Sequence, residues 1–133
     1  MAGSIVTTVT EVARNLIKYS IAWTADGSGN VNSNPIALRH GRLSQIKFVP
    51  TNGGTQPSNG YNVSLPDADG VDLLAGQGQN LSNTAAKLCA PVIGGVSPAL
   101  FPYFVEDQTA INPTITGAGA NANGRIDLYI GPI

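Results

Sequence analysis

Three aspartates within six positions are the feature of this chain that most resembles chemistry. Asp67, Asp69 and Asp72 surround a glycine in the stretch PDADGVD. An EF-hand calcium loop needs acidic ligands at positions 1, 3 and 5, Gly at position 6 and Glu at position 12. Counting from Asp67 puts Val71 at position 5 and Gly78 at position 12, and shifting the frame to place Gly70 sixth also fails. Pro, Asp and Gly are instead the residues of a reverse turn, so we favour a hairpin turn over a cation site.

Other candidates for catalysis are few. His40 is the only histidine and Cys89 the only cysteine, so a nucleophile with a histidine base is confined to Cys89–His40 or Ser–His40 pairs. Neither pair has a recognisable local signature, and one His with one Cys cannot fill a structural zinc site within one chain. The glycine-rich stretch GAGANANG is not a P-loop, because no Gly-Lys-Ser/Thr follows it. We therefore expect no enzyme, and no catalytic, cofactor-binding or metal-binding residues.

The composition suits one domain with a core and a surface that carries little charge. The chain has 133 residues, of which 42% are hydrophobic, enough for a single packed domain over residues 1–133. Only 11% are charged, against roughly 25% in ordinary soluble domains. Since a surface so poor in charge is weakly protected against association, we expect it to be covered by partner proteins.

Charge and hydropathy patterns exclude two classes of partner. The net charge is −1 and no basic block is present, whereas a nucleic-acid-binding protein concentrates Lys and Arg on one face. The nearest candidate, 39–42 (RHGR), is interpreted as a solvated loop. The start of the chain lacks the features of a signal peptide, and no apolar run approaches the roughly 18 residues of a membrane span. We expect synthesis in a cytoplasm, with no nucleic acid and no membrane as partners.

Alternation of apolar and polar residues predicts strands that each bury one face. The predicted buried positions are Tyr19, Ile21 and Trp23; Tyr61, Val63 and Leu65; and Ile126, Leu128 and Ile130. A further strand ends at Pro50. Gly/Asn/Ser/Pro loops separate these strands, as tight reversals require. The sequence predicts an all-β fold: a small antiparallel β-sandwich, jelly-roll-like, or a barrel, with long Gly/Asn-rich loops and at most one short helix.

Three segments call for an interpretation of their own. The first segment, TTVTEVARNLIKY, fits a capping box at Thr8 and Glu11, but it starts in the strongly β-prone SIVTTVT. We interpret 1–10 as an extended N-terminal arm leading into a strand. The stretch LSNTAAKLCA favours one or two helical turns after a cap at Ser82 or Asn83.

The third segment, 97–113, is rich in aromatic residues and prolines. Phe101, Tyr103 and Phe104 stand between prolines, where they either contribute an edge strand to the core or form an apolar contact surface for another subunit.

The chain resembles a family of small tailed-bacteriophage virion proteins. The resemblance covers most of the sequence: the start MAGSIVTTVTE, the strand IKYSIAWTADGSGNV, the hairpin YNVSLPDADGVDLLAGQGQN and the final GRIDLYI. The chain departs from the family between Cys89 and Thr116, where its sequence is longer. That longer stretch includes the aromatic segment.

This resemblance implies a capsid decoration (cement) protein on the capsid exterior. Its partners would be the major capsid protein and further copies of itself, with a homotrimer favoured. The arm could add a strand to a neighbouring sheet, which makes Ser4, Ile5, Val6 and Thr7 candidate contact residues beside Phe101, Tyr103 and Phe104.

Two alternatives remain. The first is a head–tail connector or tail component. The second is a receptor- or glycan-binding module in which Trp23, Tyr61 or Tyr103 stacks on sugar, although the predicted strand registers bury Trp23 and Tyr61.

Overall fold

The computed structural model describes residues 3–32, 35–39, 41–52, 55–74, 76–89, 103–105 and 109–131, with the backbone alone at 103–105 and 109. Of helices and strands, only β-strands are present in these ranges. The eleven strands are β1 (Ser4–Ala13), β2 (Leu16–Thr24), β3 (Val31–Asn32), β4 (Ile36–Leu38), β5 (Gly41–Pro50), β6 (Asn62–Ser64), β7 (Lys87–Cys89), β8 (Tyr103–Val105), β9 (Thr109–Ile111), β10 (Thr114–Thr116) and β11 (Asn123–Gly131). The predicted all-β class is confirmed.

Six strands form the main sheet, in which all pairs are antiparallel. Its order is β1-β2-β11-β5-β7, and β8 also pairs with β5. A tight turn at Arg14 and Asn15 joins β1 to β2, where Asn15 adopts a positive φ of 62°. Asn tolerates this left-handed conformation better than most residues, which suits it to the reversal. The N-terminal strand is therefore held along its whole length by a local hairpin.

A β-bulge explains why the sequence of β5 alternates imperfectly. The register with β11 shifts between Tyr129 and Ile130, so that Ser44 is the additional residue on β5. The Ser44 hydroxyl donates a hydrogen bond to the Tyr129 carbonyl at 3.1 Å. One extra residue restores the alternation on both sides of the bulge. As a result, Leu43 and Ile46 both lie in the core although they are three positions apart.

A second layer covers the inner face of the main sheet. It contains a three-stranded sheet in the order β3-β10-β6 and a two-stranded sheet of β4 and β9. Buried side chains from all three sheets belong to one hydrophobic cluster. The Trp23 and Tyr61 rings meet across the layers, with centroids 5.7 Å apart. The sheets of the described chain are not closed into a barrel.

The predicted buried faces are confirmed. All nine predicted core positions are at most 3% exposed: Tyr19, Ile21, Trp23, Tyr61, Val63, Leu65, Ile126, Leu128 and Ile130. At about 25 cal/mol per Å² of apolar surface, burying one such side chain stabilises the fold by about 1.5–3 kcal/mol.

Three Gly/Asn-rich loops bond to one another at one end of the molecule. The Ala118 amide donates to the Gly29 carbonyl at 3.0 Å, and the Ser58 amide donates to the Ala118 carbonyl at 2.8 Å. Gly29 has a φ of 82°, and a Cβ there would lie 2.6 Å from the Gly119 backbone nitrogen. Only glycine combines this conformation with so close an approach. The loops thus form an ordered cap over the strand ends.

The predicted helical turns after Ser82 are wrong. The cap itself forms, because the Ser82 hydroxyl accepts hydrogen bonds from the amides of Thr84 and Ala85, both at 3.1 Å. The next residues then extend as β7, which pairs with Ile46–Phe48 of β5. Pairing with an open sheet edge outweighs the weak helix propensity of a short segment that ends before a proline.

Candidate contact surface

The outer edge of β1 is the longest unpaired strand edge in the described part of the chain. β1 stands at one end of the main sheet and pairs with β2 from Ser4↔Thr24 to Ala13↔Leu16. Its second edge carries backbone N–H and C=O groups that no described strand satisfies. Such a row of donors and acceptors is a template for pairing with another chain.

This edge lacks the usual protection against pairing. Ser4–Thr10 (SIVTTVT) contains no charged residue and no proline, and six of its seven residues are β-branched. Protective features occur only near the turn, where Glu11 lies beside a bulge between Glu11 and Ala13. Natural sheets normally shield an edge with charges, prolines or bulges. The N-terminal part of β1 is thus open to a partner strand.

A groove runs along the core side of this edge. Its volume is about 460 Å³, and it is lined by Gly3, Ser4, Ile5, Thr7, Asn32, Pro35 and Ile36. Ile5 and Ile36 are partly buried and pack against the main core. A strand added to β1 would therefore find hydrogen-bonding groups on the strand edge and a groove of mixed polar and apolar lining for its core-facing side chains. This surface, which we call the β1 edge, consists of Ser4–Thr10 and the groove.

Four of the predicted contact residues lie on the β1 edge. Ser4, Ile5 and Thr7 line the groove, whereas Val6 points to the outer face of the sheet and is 68% exposed. The strand itself is confirmed, but the free arm is not, because these residues pair with β2. Removing β1 would strip the neighbour from β2, which holds Ile21 and Trp23 in the core.

The other predicted contact residues are described in part. Tyr103 and Phe104 belong to β8, which pairs with β5 through Tyr103↔Leu43 and Phe104↔Arg42. The backbone of the aromatic segment thus reaches the main sheet as an additional strand beside β5. Phe101 lies outside the described residues. The structure does not bring this segment together with the β1 edge, since β8 and β1 lie on opposite sides of β2 and β11.

The aspartate loop forms the predicted turn. One oxygen of Asp67 accepts the amides of Asp69 and Val71 at 2.9 and 3.0 Å, and the Gly70 amide donates to the Asp67 carbonyl. Gly70 has a φ of 83°. The hairpin interpretation is confirmed, although only an isolated bridge between Pro66 and Asp72 closes it.

Asp72 has a separate task in the same loop. Its two carboxylate oxygens accept hydrogen bonds from the amides of Leu65, Leu74 and Gly76 at 2.9–3.2 Å. Within the described ranges, no three His, Cys, Asp or Glu side chains come together as a metal site would require. The carboxylates of Asp67 and Asp72 therefore accept hydrogen bonds from backbone amides. Of the three aspartates, only Asp69 has an exposed side chain without a described hydrogen bond.

Two of the three aromatic side chains considered for sugar stacking are in the core. Trp23 and Tyr61 are each 1% exposed and contact each other. Burial raises the pKa of the Tyr61 phenol to about 12. A sugar cannot reach either ring without opening the fold. Tyr103 has no described side chain, and His40 lies outside the described residues, so the Cys89–His40 pair does too.

Asp127 is a buried charge that the sequence pattern missed. It lies on the outer face of the main sheet but is only 1% exposed. The Ser20 hydroxyl donates to it at 2.9 Å, and Arg125 and Lys18 form ion pairs with it at 3.2 and 3.8 Å. In the sequence, Lys18, Arg125 and Asp127 are charged residues on the polar faces of two strands. This pattern indicates a charge cluster only when β2 and β11 are known to be neighbours.

Two further groups have shifted acidity for different reasons. Amides of Asn30 and Ser28 donate to the Asp26 carboxylate and lower its pKa, because hydrogen bonds favour the charged form. Burial raises the pKa of the Cys89 thiol, against a smaller opposing effect of Lys87. A thiol whose pKa is raised is a poor nucleophile. Cys89 is thus a packed core residue at the end of β7.

No protein-family model, curated protein or solved structure matches this chain. Among the described residues, no helix is long and apolar enough to span a membrane. The candidate surface is therefore interpreted from its own geometry and from the resemblance of the sequence.

Proposed function

We propose that the protein is a structural component of a tailed-bacteriophage virion, a decoration protein that binds the outer surface of the capsid as a homo-oligomer. The observation that carries the proposal is the β1 edge, seven uncharged residues beside an open groove of about 460 Å³. An unprotected edge of this kind promotes aggregation of a free protein, whereas in an assembly a partner strand can cover it. The resemblance to virion proteins supplies the kind of assembly.

The mechanism is strand addition coupled to mass action. A partner strand on β1 would gain backbone hydrogen bonds for affinity, and its alternate side chains would enter the groove for specificity. A protein that binds the assembled lattice, but not dissociated capsid subunits, stabilises the lattice by the free energy of binding. The low charge of the chain fits a surface that neighbours cover, and neither step needs a catalytic group.

The copy number in purified virions tests the proposal. Quantitative mass spectrometry would compare this chain with the major capsid protein of the phage that encodes it. We expect one copy per capsid subunit or a simple fraction such as one third. A dozen or so copies per particle would assign the chain to the head–tail connector or the tail. Its absence from virions would reject a structural role.

A further inference from the structure

The β1 edge is suited to pairing with a second copy of itself. A two-fold axis perpendicular to the main sheet would make β1 antiparallel to its own copy and keep both core faces on the same side. Residues directly opposite each other in such a pair point to the same face. In β1, Ile5, Thr7 and Val9 belong to the core side, opposite Trp23, Ile21 and Tyr19 of β2.

One register matches the exposed and buried positions of β1 especially well. With Thr7 on the axis, Ile5 stands opposite Val9 of the second copy, and the symmetry repeats that pair on the other side. Val9 is 50% exposed although it lies on the core side, whereas Ile5 packs against the core and lines the groove. Pairing would bring each Val9 to the groove of the other copy, so the apolar residue that β1 leaves uncovered gains an apolar neighbour.

The charges of β1 also suit this register. Glu11 would stand opposite Gly3 of the second copy, beyond the paired segment, so no two carboxylates would face each other. On the outer face, Val6 would stand opposite Thr8, whereas on the core side Thr7 would face Thr7 of the second copy. Pairs of threonine and β-branched residues stabilise neighbouring antiparallel strands, and like charges directly opposite would destabilise them. A strand that is uncharged over Ser4–Thr10 can therefore pair with itself without repulsion.

From these observations we propose that two copies of this chain associate through antiparallel β1–β1 pairing centred on Thr7, which joins two main sheets into one continuous sheet. The proposal takes the contact surface from the proposed function and names its occupant as a second copy. A trimer, which the resemblance implies, would need head-to-tail contacts instead of this two-fold contact.

The small size of the contact determines how it must be measured. Pairing of seven residues per copy falls below the roughly 1,600 Å² of a standard stable interface, so we expect a concentration-dependent dimer. Sedimentation equilibrium over about 1 µM to about 1 mM covers the corresponding range of affinities. On a capsid surface, neighbouring copies would be held at a high effective concentration, which favours the same contact.

A charge-exchange experiment tests the pairing directly. Val6 and Thr8 are exposed on the outer face, so the double substitutions Val6→Lys/Thr8→Lys and Val6→Glu/Thr8→Glu leave the core side unchanged. Each variant alone should be monomeric, because like charges would face each other across the two-fold axis. Mixing the two should restore a mixed dimer. Leu88→Lys is the control, because it adds a charge at an exposed residue of β7, which lies at the opposite end of the main sheet from β1.

Several outcomes would overturn the proposal. These are a wild-type protein that stays monomeric throughout the range, a trimer that the charged variants leave unchanged, and variants that do not associate when mixed. Fluorescence of the single tryptophan, Trp23, verifies that each variant is folded. A monomer that nonetheless coats capsids would reject self-pairing and keep the proposed role in capsid decoration. A dimer that is absent from virions would keep self-pairing and reject that function.

Discussion

The aspartates of PDADGVD resemble metal ligands in sequence, but two of them accept hydrogen bonds from backbone amides instead. A carboxylate that accepts two amide hydrogen bonds, as Asp67 does, is already engaged in the turn. Asp72 accepts three amides and so connects the hairpin to the residues that follow it. Asp69 donates only its own amide to Asp67 and keeps its side chain exposed. Three similar residues thus have unequal structural value.

Replacing these residues one at a time should reveal that difference. Asp67→Ala removes the acceptor of two backbone amides and should lower the free energy of unfolding by about 1–2 kcal/mol. Asp69→Ala, the matched control, should stay within about 0.5 kcal/mol of the wild type. Urea denaturation followed by Trp23 fluorescence measures both. Repeating the series with added Ca²⁺ tests the alternative, since a rise in wild-type stability that Asp69→Ala abolishes would indicate a cation site.

At the scale of the strands, Gly124 of β11 and Trp23 of β2 make a close contact in the main sheet. The two residues are register partners. A Cβ on Gly124 would lie 2.7 and 2.9 Å from two carbons of the indole ring and 3.1 Å from the Val49 carbonyl oxygen. The indole is buried in the core and contacts the Tyr61 ring. The glycine therefore leaves space beside β11 for Trp23, the largest fully buried side chain of the core.

Gly124→Ala should consequently destabilise the sheet. Forcing one extra carbon into this contact costs about 1–3 kcal/mol, even after the smaller gain from a less flexible unfolded chain. Gly27→Ala is the matched control, because Gly27 is exposed and a Cβ there meets nothing within 4 Å. Thermal and urea unfolding should distinguish the two variants clearly. Equal stability of both would show that the strands shift to accept the methyl group.

The buried faces of the strands could be predicted because alternation is a local property. Tyr19, Ile21 and Trp23 follow one another at every second position, and burial of one face needs no knowledge of the neighbouring strand. The irregular pattern of β5 was readable as a strand, yet its bulge at Ser44 becomes visible only through the register with β11. Local periodicity determined the faces, and long-range pairing determined the sheet.

Features that depend on distant partners could not be predicted. Lys87–Cys89 forms a strand only because β5 offers an edge, and the isolated segment carries helix-forming residues. The burial of Asp127 depends on Lys18 and Ser20, more than a hundred positions away in sequence. No pattern in a single sequence states that β2 and β11 are neighbours.

The candidate contact surface was predicted in part for the same reason. The β-prone composition of Ser4–Thr10 is local and correctly predicted a strand. That β1 already pairs with β2 on one side follows from the hairpin at Asn15, a turn that lacks the glycine of stronger hairpin signals. The groove contains residues of β3 and β4 as neighbours, and their approach to β1 is a property of the folded chain.

For the molecule as a whole, buried and hydrogen-bonded groups define how stability should depend on pH. The pKa of Asp26 is lowered in the folded state, so its contribution is present above the unfolded pKa and is lost as pH falls through the folded value. The pKa values of Cys89 and Tyr61 are raised by burial. Above their unfolded values of 9.0 and 10.0, the unfolded chain releases protons that the folded chain retains.

Alkaline conditions should therefore destabilise the fold. Between about pH 5 and 8 these three groups predict constant stability, and above about pH 9 stability should fall. With a folded pKa of about 12, Tyr61 alone should account for a loss on the order of 1 kcal/mol by about pH 11. Urea denaturation at a series of pH values measures the profile. Tyr61→Phe retains the ring that contacts Trp23 but cannot ionise, so its stability should fall less steeply above pH 10. An equally steep fall in that variant would assign the alkaline loss to Cys89 or to other groups, which Cys89→Ala would then separate.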